Sequence, residues 1–389
     1  MKALCWEGKH QVAVNAVDDP KIVDPTDMIV KVRASGICGS DLHLYDGYIP
    51  TMEKGDILGH EAFGEVVEMG PDVKRWRIGD RVAVPFNISC GECRFCKQEL
   101  YSLCDRSNPN AEMAAKVYEY SPGGYFGYSH LFGGYAGGQA EYLRVPFADV
   151  IPVKIPTEVS DDDAVLLTDN FPTGYMAAEN CSIREGDTVV VFGAGSVGQF
   201  AVRSALVLGA GRVIVVDRLD YRLQRAAADN VTLINYDRQK DVIEAIKDMT
   251  EGQGPDSCID AVGLEAHANS LMGIYDSVKQ TLSLETDRPT VLRWALQVVR
   301  KGGTVSVPGV YGGFVDKFPI GAFFNKGLTL HGGQTHVHKY QPRLLQLILD
   351  GKVKPSEVVS HHIRLEEAPQ YYQFFRDKRN ECLKAIIRF

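Results

Sequence analysis

The residues best equipped for chemistry in this 389-residue chain are unevenly spaced. Four of its nine cysteines crowd into Cys90-Gly-Glu-Cys93-Arg-Phe-Cys96 and Cys104, a C-x2-C-x2-C-x7-C pattern. Four thiolates so close together suit a closed tetrahedral zinc site, whose soft sulfur set leaves no position for a substrate, so its role is structural. An iron–sulfur cluster also takes four cysteines, but the usual bacterial run closes at a shorter interval with Cys-Pro, which is absent here. An odd cysteine total in a large acidic chain argues for metal over disulfides.

A second constellation is Gly36-Ile-Cys38-Gly-Ser40-Asp-Leu-His43, followed by Gly59-His60-Glu61. A thiolate and an imidazole on separate turns can share a zinc, and catalysis then requires a third ligand and an open fourth position. Spacing does not identify that ligand. Read singly, Cys38 is a small buried hydrophobe and His60 a hydrogen-bonded turn residue. The third constellation, Gly193-Ala-Gly195-Ser196-Val197-Gly198, matches G-x-G-x-x-G between a strand and a helix, and a later strand ends in Asp217. That context is what dinucleotide binding needs: a tight turn, close backbone approach to pyrophosphate, close helix–strand packing, and an acid for the ribose. Asp217 accepts ribose hydroxyls and repels a 2′-phosphate, favouring NAD, an argument that Arg218 and Arg222 temper.

The elements that must position these residues fall into two textures. Up to about residue 165 the chain is strand-like and turn-rich, with alternation in Met28–Arg33 and Gly64–Met69 and a turn at Gly79-Asp80 leading into Arg81–Val84. Residues 106–139, rich in Gly and Tyr, read as a long loop, either functional or a variable surface insertion. Its Tyr125, Phe126, Tyr128 and Phe132, with Asn170, are candidates to line a cleft. From about 170 to 330, strands at 187–192, 212–217, 257–262 and 303–308 alternate with helices at 196–208 and 291–300, as in a parallel sheet. An irregular polar stretch runs from His267 to Arg288. A helix over Gln341–Asp350, ended by Gly351, and a last strand over Lys384–Phe389 follow.

Composition bounds the rest. Hydrophobic residues are 45% and charged residues 24%, with a net charge of -8, as in a globular α/β protein large enough for two domains. No basic stripe supports nucleic-acid binding, no apolar run reaches membrane-spanning length, and the N-terminal apolar run is broken at Glu7-Gly8, so a cytoplasmic protein is expected.

The three constellations, in their order along the chain, resemble the zinc-containing medium-chain dehydrogenase/reductase superfamily, which includes the alcohol, sorbitol and threonine dehydrogenases. The likeness covers essentially the whole chain. Thr168-Asp-Asn-Phe-Pro-Thr-Gly-Tyr175, Pro85-Phe-Asn-Ile-Ser-Cys90, Gly137-Gly-Gln-Ala-Glu-Tyr142 and Gly333-Gln-Thr-His-Val-His-Lys-Tyr340 look closest to its glutathione-independent formaldehyde dehydrogenase branch. The resemblance implies a GroES-like, mostly β catalytic domain (1–169 and 331–389) and a Rossmann doubly wound NAD-binding domain (170–330). It implies two zinc ions per subunit, one held by Cys38, His60 and Asp169 and one by the four-cysteine lobe. Many alcohol dehydrogenases have Cys where Asp169 stands. A carboxylate there keeps the ligand charge and should leave zinc a stronger Lewis acid. Glu61 is implied as a transient ligand or an orienting charge, and Ser40 and His43 as a proton relay running through the cofactor ribose. Thr173 and Val197 match positions against the nicotinamide; Val262, Gly309 and Val310 lie at strand ends where the dinucleotide sits.

The implied activity is hydride transfer between a small alcohol or aldehyde and NAD. Aldehyde dismutation becomes available if the irregular His267–Arg288 stretch, an insertion that also fits the formaldehyde dehydrogenase branch, covers and retains the cofactor. A polyol or threonine-type dehydrogenase, and a noncatalytic NAD-binding protein on the same fold, are the alternatives. Family habit implies a homodimer or homotetramer.

Overall fold

The computed structural model describes residues 1–265, 289–313 and 315–389. The polar stretch expected from His267 to Arg288 lies outside them. The chain divides into two compact units, Met1–Pro172 with Thr335–Phe389, and Thr173–Gln334.

The strands of the first unit are β1 (Lys2–Gly8), β2 (Gln11–Ala16), β3 (Met28–Ile37), β4 (Ala62–Met69), β5 (Arg81–Val84), β6 (Tyr142–Val145) and β7 (Val153–Lys154). Further along the chain come β8 (Thr188–Phe192), β9 (Arg212–Asp217), β10 (Val231–Asn235), β11 (Ser257–Asp260), β12 (Thr304–Val307) and β13 (Thr329–Gly332) in the second unit, then β14 (His361–Arg364) and β15 (Ala385–Arg388) back in the first. β1 and β2 form a hairpin, and a larger sheet runs β14-β15-β3-β4-β5-β7, with β6 also on β3. β3 is its spine. Met28, Val30 and Val32 point into the core beside Val66, Val82 and Leu143, while Lys31 and Arg33 face water. Gly64 is required by this packing, because a Cβ there would fall 2.2 Å from the Lys31 carbonyl oxygen.

Two expectations need correction. Residues 106–139 contain a helix, Ala111–Tyr118. Ala, Glu, Met and Lys favour it, but only Ala114 is buried, so no apolar stripe announces it. The helix expected from Gln341 spans Val337–Leu349 with Pro342 inside it. A proline ordinarily marks a helix start, so it conceals the turn before it.

Among the described residues of the second unit the six strands are all parallel, in the order β10-β9-β8-β11-β12-β13. The apolar runs of β8 and β9 are continuous because both faces are covered. Val190, Phe192, Ile214 and Val216 pack with helices 242–249 and 290–298. The alternate residues Val189, Val191, Val213 and Val215 pack with helix 196–207. Strand order reverses between β8 and β11, and the crevice at such a switch point is where open α/β sheets bind ligands. No helix among the described residues is long and apolar enough to cross a membrane.

Candidate metal centres and dinucleotide loop

The antiparallel register of β3 and β4 sets Ser35 opposite Ala62, so Cys38, just past β3, and His60-Glu61, just before β4, arrive at one end of the sheet. Cys38 caps the helix Gly39–Tyr45, and Asp169 immediately precedes the helix Asn170–Glu179. Donor atoms of Cys38, His60, Glu61 and Asp169 all lie within 4.8 Å of one another, and all four residues are buried. Asp169 Oδ2 is 3.4 Å from Cys38 Sγ and 3.5 Å from His60 Nε2. The Ser40 hydroxyl lies 3.4 Å from the same sulfur and 3.2 Å from the same nitrogen. His43 is buried three residues on in the same helix.

The electrostatics of this cluster call for a cation. Burial, then Asp169, pushes the Cys38 thiol up. Burial opposes charge on His60, yet Asp41, then Asp169, outweigh it and hold the imidazole well above its ordinary pKa. Carboxylates that would hold a proton there would equally hold a dication. One soft sulfur, one imidazole and one carboxylate suit zinc with an open fourth position.

Glu61 does not have the same freedom as the other three. Its two oxygens accept hydrogen bonds from Lys384 Nζ at 2.5 and 2.6 Å, and both side chains are fully buried. Burial pushes the Glu61 carboxyl up, and Lys384 opposes that shift. A thiolate and two carboxylates then balance a dication and one ammonium. Asn170 Nδ2 donates to Asp169 Oδ2 at 2.8 Å and to Glu61 Oε1 at 3.1 Å, joining the carboxylates. Gly36 makes room for the pair, since a Cβ there would meet Glu61 Oε2 at 1.9 Å and Lys384 Nζ at 2.9 Å.

Sequence reasoning missed three members. Asp41 Oδ1 lies 3.0 Å from His60 Nδ1, while its Oδ2 accepts the Cys38 backbone N–H at 2.9 Å. At that distance the carboxylate favours a ring proton on Nδ1, which would leave the Nε2 lone pair for a metal, as in the usual carboxylate–histidine arrangement. Its signal was available: an acid three residues after Cys38 in the quoted turn. Lys384 lies 323 residues from Glu61 and has no local signal. Phe86 meets the His60 ring edge-on at 6.2 Å, as Tyr128 does at 6.4 Å. Of the other cleft candidates, Tyr125 stacks on Phe132 at 4.7 Å and meets Phe86 at 5.3 Å. Phe126 turns instead into the sheet core.

The four thiols Cys90, Cys93, Cys96 and Cys104 also lie within 4.8 Å of one another, all buried. Backbone N–H groups of Cys90, Glu92, Cys93 and Cys96 donate to the sulfurs at 3.3–3.5 Å. A hydrogen bond from Cys96 leads the causes that lower the Cys104 thiol to about 4. Burial pushes the Cys90 thiol up, and the hydrogen bond to Cys104 pushes Cys96 up, but four sulfurs around one point, with no other donor among the described residues, fit a closed structural zinc.

In the second unit, Gly193 has φ 91° and Gly195 caps the helix Ser196–Val207. A Cβ on Gly198 would fall 1.9 Å from the Gly193 carbonyl oxygen, so the third glycine is a packing requirement. Asp217 ends β9, its Oδ2 accepting from Ala194 N at 2.7 Å and its Oδ1 from Arg218 N and Leu219 N. These bonds turn the carboxylate toward the glycine loop. Arg222 lies over Tyr221, and Arg218 is 3.7 Å from Asp237. Two strand-end loops interlock: Val262 packs against Gly193, and Leu264 N donates to Val310 O at 2.9 Å beside Gly309. Thr173 is buried in the helix Asn170–Glu179, and Val197 is half-buried in the first turn after the glycine loop.

The alcohol dehydrogenase GroES-like domain family matches residues 24–156, and the zinc-binding dehydrogenase family matches 196–277. An uncharacterized zinc-type alcohol dehydrogenase-like protein of Bacillus subtilis is 43% identical over all of both chains. A glutathione-independent formaldehyde dehydrogenase of Pseudomonas aeruginosa is 34% identical over 96% of this chain and 94% of its own. The solved alcohol dehydrogenase TADH from Thermus sp. ATN1 is 36% identical, with a TM-score of 0.82 over 100% of this chain and 99% of that one. With a GroES-like first unit and a Rossmann second unit, this chain belongs to the zinc-type alcohol dehydrogenases of the medium-chain dehydrogenase/reductase superfamily.

Proposed function

We propose that this enzyme transfers hydride between NAD and a small alcohol or aldehyde of formaldehyde-like size, the first unit holding metal and substrate and the second the dinucleotide. The observation that carries this reading is the convergence of Cys38, His60 and Asp169 while Glu61 is tied to Lys384. A bound zinc would supply Lewis acidity to the substrate oxygen, and NAD would supply the hydride acceptor. Ser40 would take the alcohol proton, and the cofactor ribose and His43 would carry it to solvent. Asp41 keeps His60 in the ligating tautomer. The edges of Phe86 and Tyr128 present apolar surface beside His60 and exclude water from it. The glycine loop and the first turn at Ser196 and Val197 would take the pyrophosphate, and Asp217 the ribose hydroxyls, which favours NAD over NADP. The likeness to a formaldehyde dehydrogenase supports aldehydes as substrates, and retention of NADH between turnovers would make dismutation available.

The test is NADH formation with short alcohols, formaldehyde and polyols, before and after chelation. Turnover of small substrates with NAD, lost on chelation and restored by zinc, is expected. A metal-replete chain that reduces neither NAD nor NADP overturns the reading, and a strict preference for polyols replaces the substrate class.

We also infer that the chain self-associates through the second unit. Among the described residues β13 ends the sheet with all four residues exposed, and nearby Phe324 is 80% exposed. A monomeric mass by light scattering contradicts this. All nine cysteines are buried and outside any disulfide, which favours the reducing cytoplasm; recovery of the protein in an extracellular fraction contradicts that location.

A further inference from the structure

Behind His60 the polar contacts do not end at Asp41. Asp41 Oδ2 accepts a second hydrogen bond, from Gln139 Nε2 at 3.2 Å, and the same amide donates to Gly36 O at 3.0 Å. Gln139 Oε1 in turn accepts the Tyr372 hydroxyl at 2.8 Å. Tyr372 lies on the helix Ala368–Arg376, and its Gln139 partner is 233 positions away in the chain. Asp41, Gln139 and Tyr372 are all fully buried. Gln139 is also held by its backbone, which accepts from Leu4 N at 2.8 Å and donates to Leu58 O at 3.0 Å.

The direction of this chain of contacts is determined. Rotating the Gln139 amide by half a turn would set its oxygen against Gly36 O and Asp41 Oδ2, two acceptors in a dry site. The Tyr372 hydroxyl adds a bond that favours the observed orientation. The neighbouring backbone is shaped around the same side chain: Gly59, beside His60, has φ +95°, and a Cβ there would fall 2.3 Å from Gln139 Cγ. Through Asp41 the network therefore reaches the ring of one candidate ligand, His60, and the backbone N–H of another, Cys38.

We propose that Gln139 and Tyr372 are positioning residues of the metal centre, acting through Asp41 to hold His60 and Cys38 in ligating geometry. The inference rests on the metal-centre reading above. Without the Gln139 amide, Asp41 Oδ2 keeps only the Cys38 N–H, and the carboxylate becomes free to turn from the imidazole. Partners of this kind change metal affinity by roughly 10–100-fold. The Gly137-Gly-Gln139 turn and the C-terminal helix thereby become parts of the centre that touch no ligand themselves.

The four-thiol lobe supplies an internal control. Wild type, Gln139→Met and Tyr372→Phe, each loaded with zinc, are mixed with excess chromogenic chelator, and release is followed as two phases. In Gln139→Met the phase assigned to the mixed centre should accelerate roughly 10–100-fold, while the lobe phase keeps its wild-type rate. Tyr372→Phe should move the same phase alone, in the same direction and by less. Cobalt placed in the mixed centre should show a shifted visible spectrum in Gln139→Met. If the folded variant releases both metals at wild-type rates, or both phases accelerate together as in general loosening, the proposal is overturned. Should Gln139→Met fail to fold, Tyr372→Phe, which deletes one hydroxyl, decides by the same criterion. A wild-type chain that loads only one zinc sinks the metal-centre reading itself, and that result appears before any variant is made.

Discussion

The molecule carries two four-residue constellations of equal compactness and opposite construction. The lobe takes all its donors from Cys90 to Cys104 and stabilises their sulfurs largely with its own backbone N–H groups. The mixed centre draws Cys38, His60, Glu61 and Asp169 from three separated segments, and its charges are balanced by side chains brought from farther still. Local turns suffice for a closed site, because four equivalent thiolates need no discrimination between them. A site with four donors in reach and a position left for substrate must hold one donor off the metal. Lys384 pairs with Glu61 and sets it apart from Asp169, while Asn170 donates to both carboxylates.

The strongest way to break the comparison is to remove one donor from each side. Asp169→Ala should abolish the mixed centre and lower turnover by roughly 10³-fold, the several kcal/mol a Lewis acid contributes, while the lobe keeps its zinc. Cys104→Ser should do the reverse: lost lobe metal, lower thermal stability, and near-normal turnover per mixed-centre metal in the protein that remains folded. Metal analysis beside kcat measures both. Loss of both metals from either variant would show that the two sites are one cooperative structure.

The comparison is sharpened at Lys384. Lys384→Met leaves the Glu61 carboxylate buried without its cation, which costs about 3–5 kcal/mol and should lower Tm by about 10 °C in a chain of this size. Adding Glu61→Gln removes the orphaned charge and should recover most of that loss. Calorimetry on the two variants decides it. A double variant no more stable than Lys384→Met would mean that Lys384 acts through packing instead of charge.

The same contrast explains what could be read in advance. The lobe and the glycine loop are runs of adjacent residues whose chemistry follows from local spacing. The β3 and β4 alternation was visible because one face of each strand is dry. Asp169 could be named only through a family likeness, since nothing near it distinguishes it from other helix-leading acids. Lys384 and Tyr372 could not be found, because their partners are fixed by the pairing of β15 with β3 and by the docking of a C-terminal helix, which are long-range packing outcomes. Phe126 was misplaced among the cleft candidates for the related reason that a Gly-rich segment does not fix side-chain direction.

The smallest expected effect lies beneath the lobe. His338 stacks on Tyr101 at 4.7 Å, next to the Cys96–Cys104 turns, and among the described residues neither ring nitrogen has a hydrogen-bond partner. Burial first, then the nearby His336, depresses its pKa to about 3. The folded protein therefore keeps His338 neutral at pH values where the unfolded chain, near the ordinary 6.5, takes up a proton. Stability from this group is intact above about pH 6.5 and is lost as pH falls toward about 3, reaching about 2 kcal/mol at pH 5. His338→Phe keeps the stacking and removes the titration. Urea unfolding of variant and wild type from pH 7 to pH 5 should give curves that diverge on the acid side, with the variant losing less. Metal ligands protonate in the same window in both proteins, so the difference between the curves isolates His338. Parallel curves would mean that the ring gains water or a partner in solution, and that the seat of the lobe is no drier than the rest of the surface.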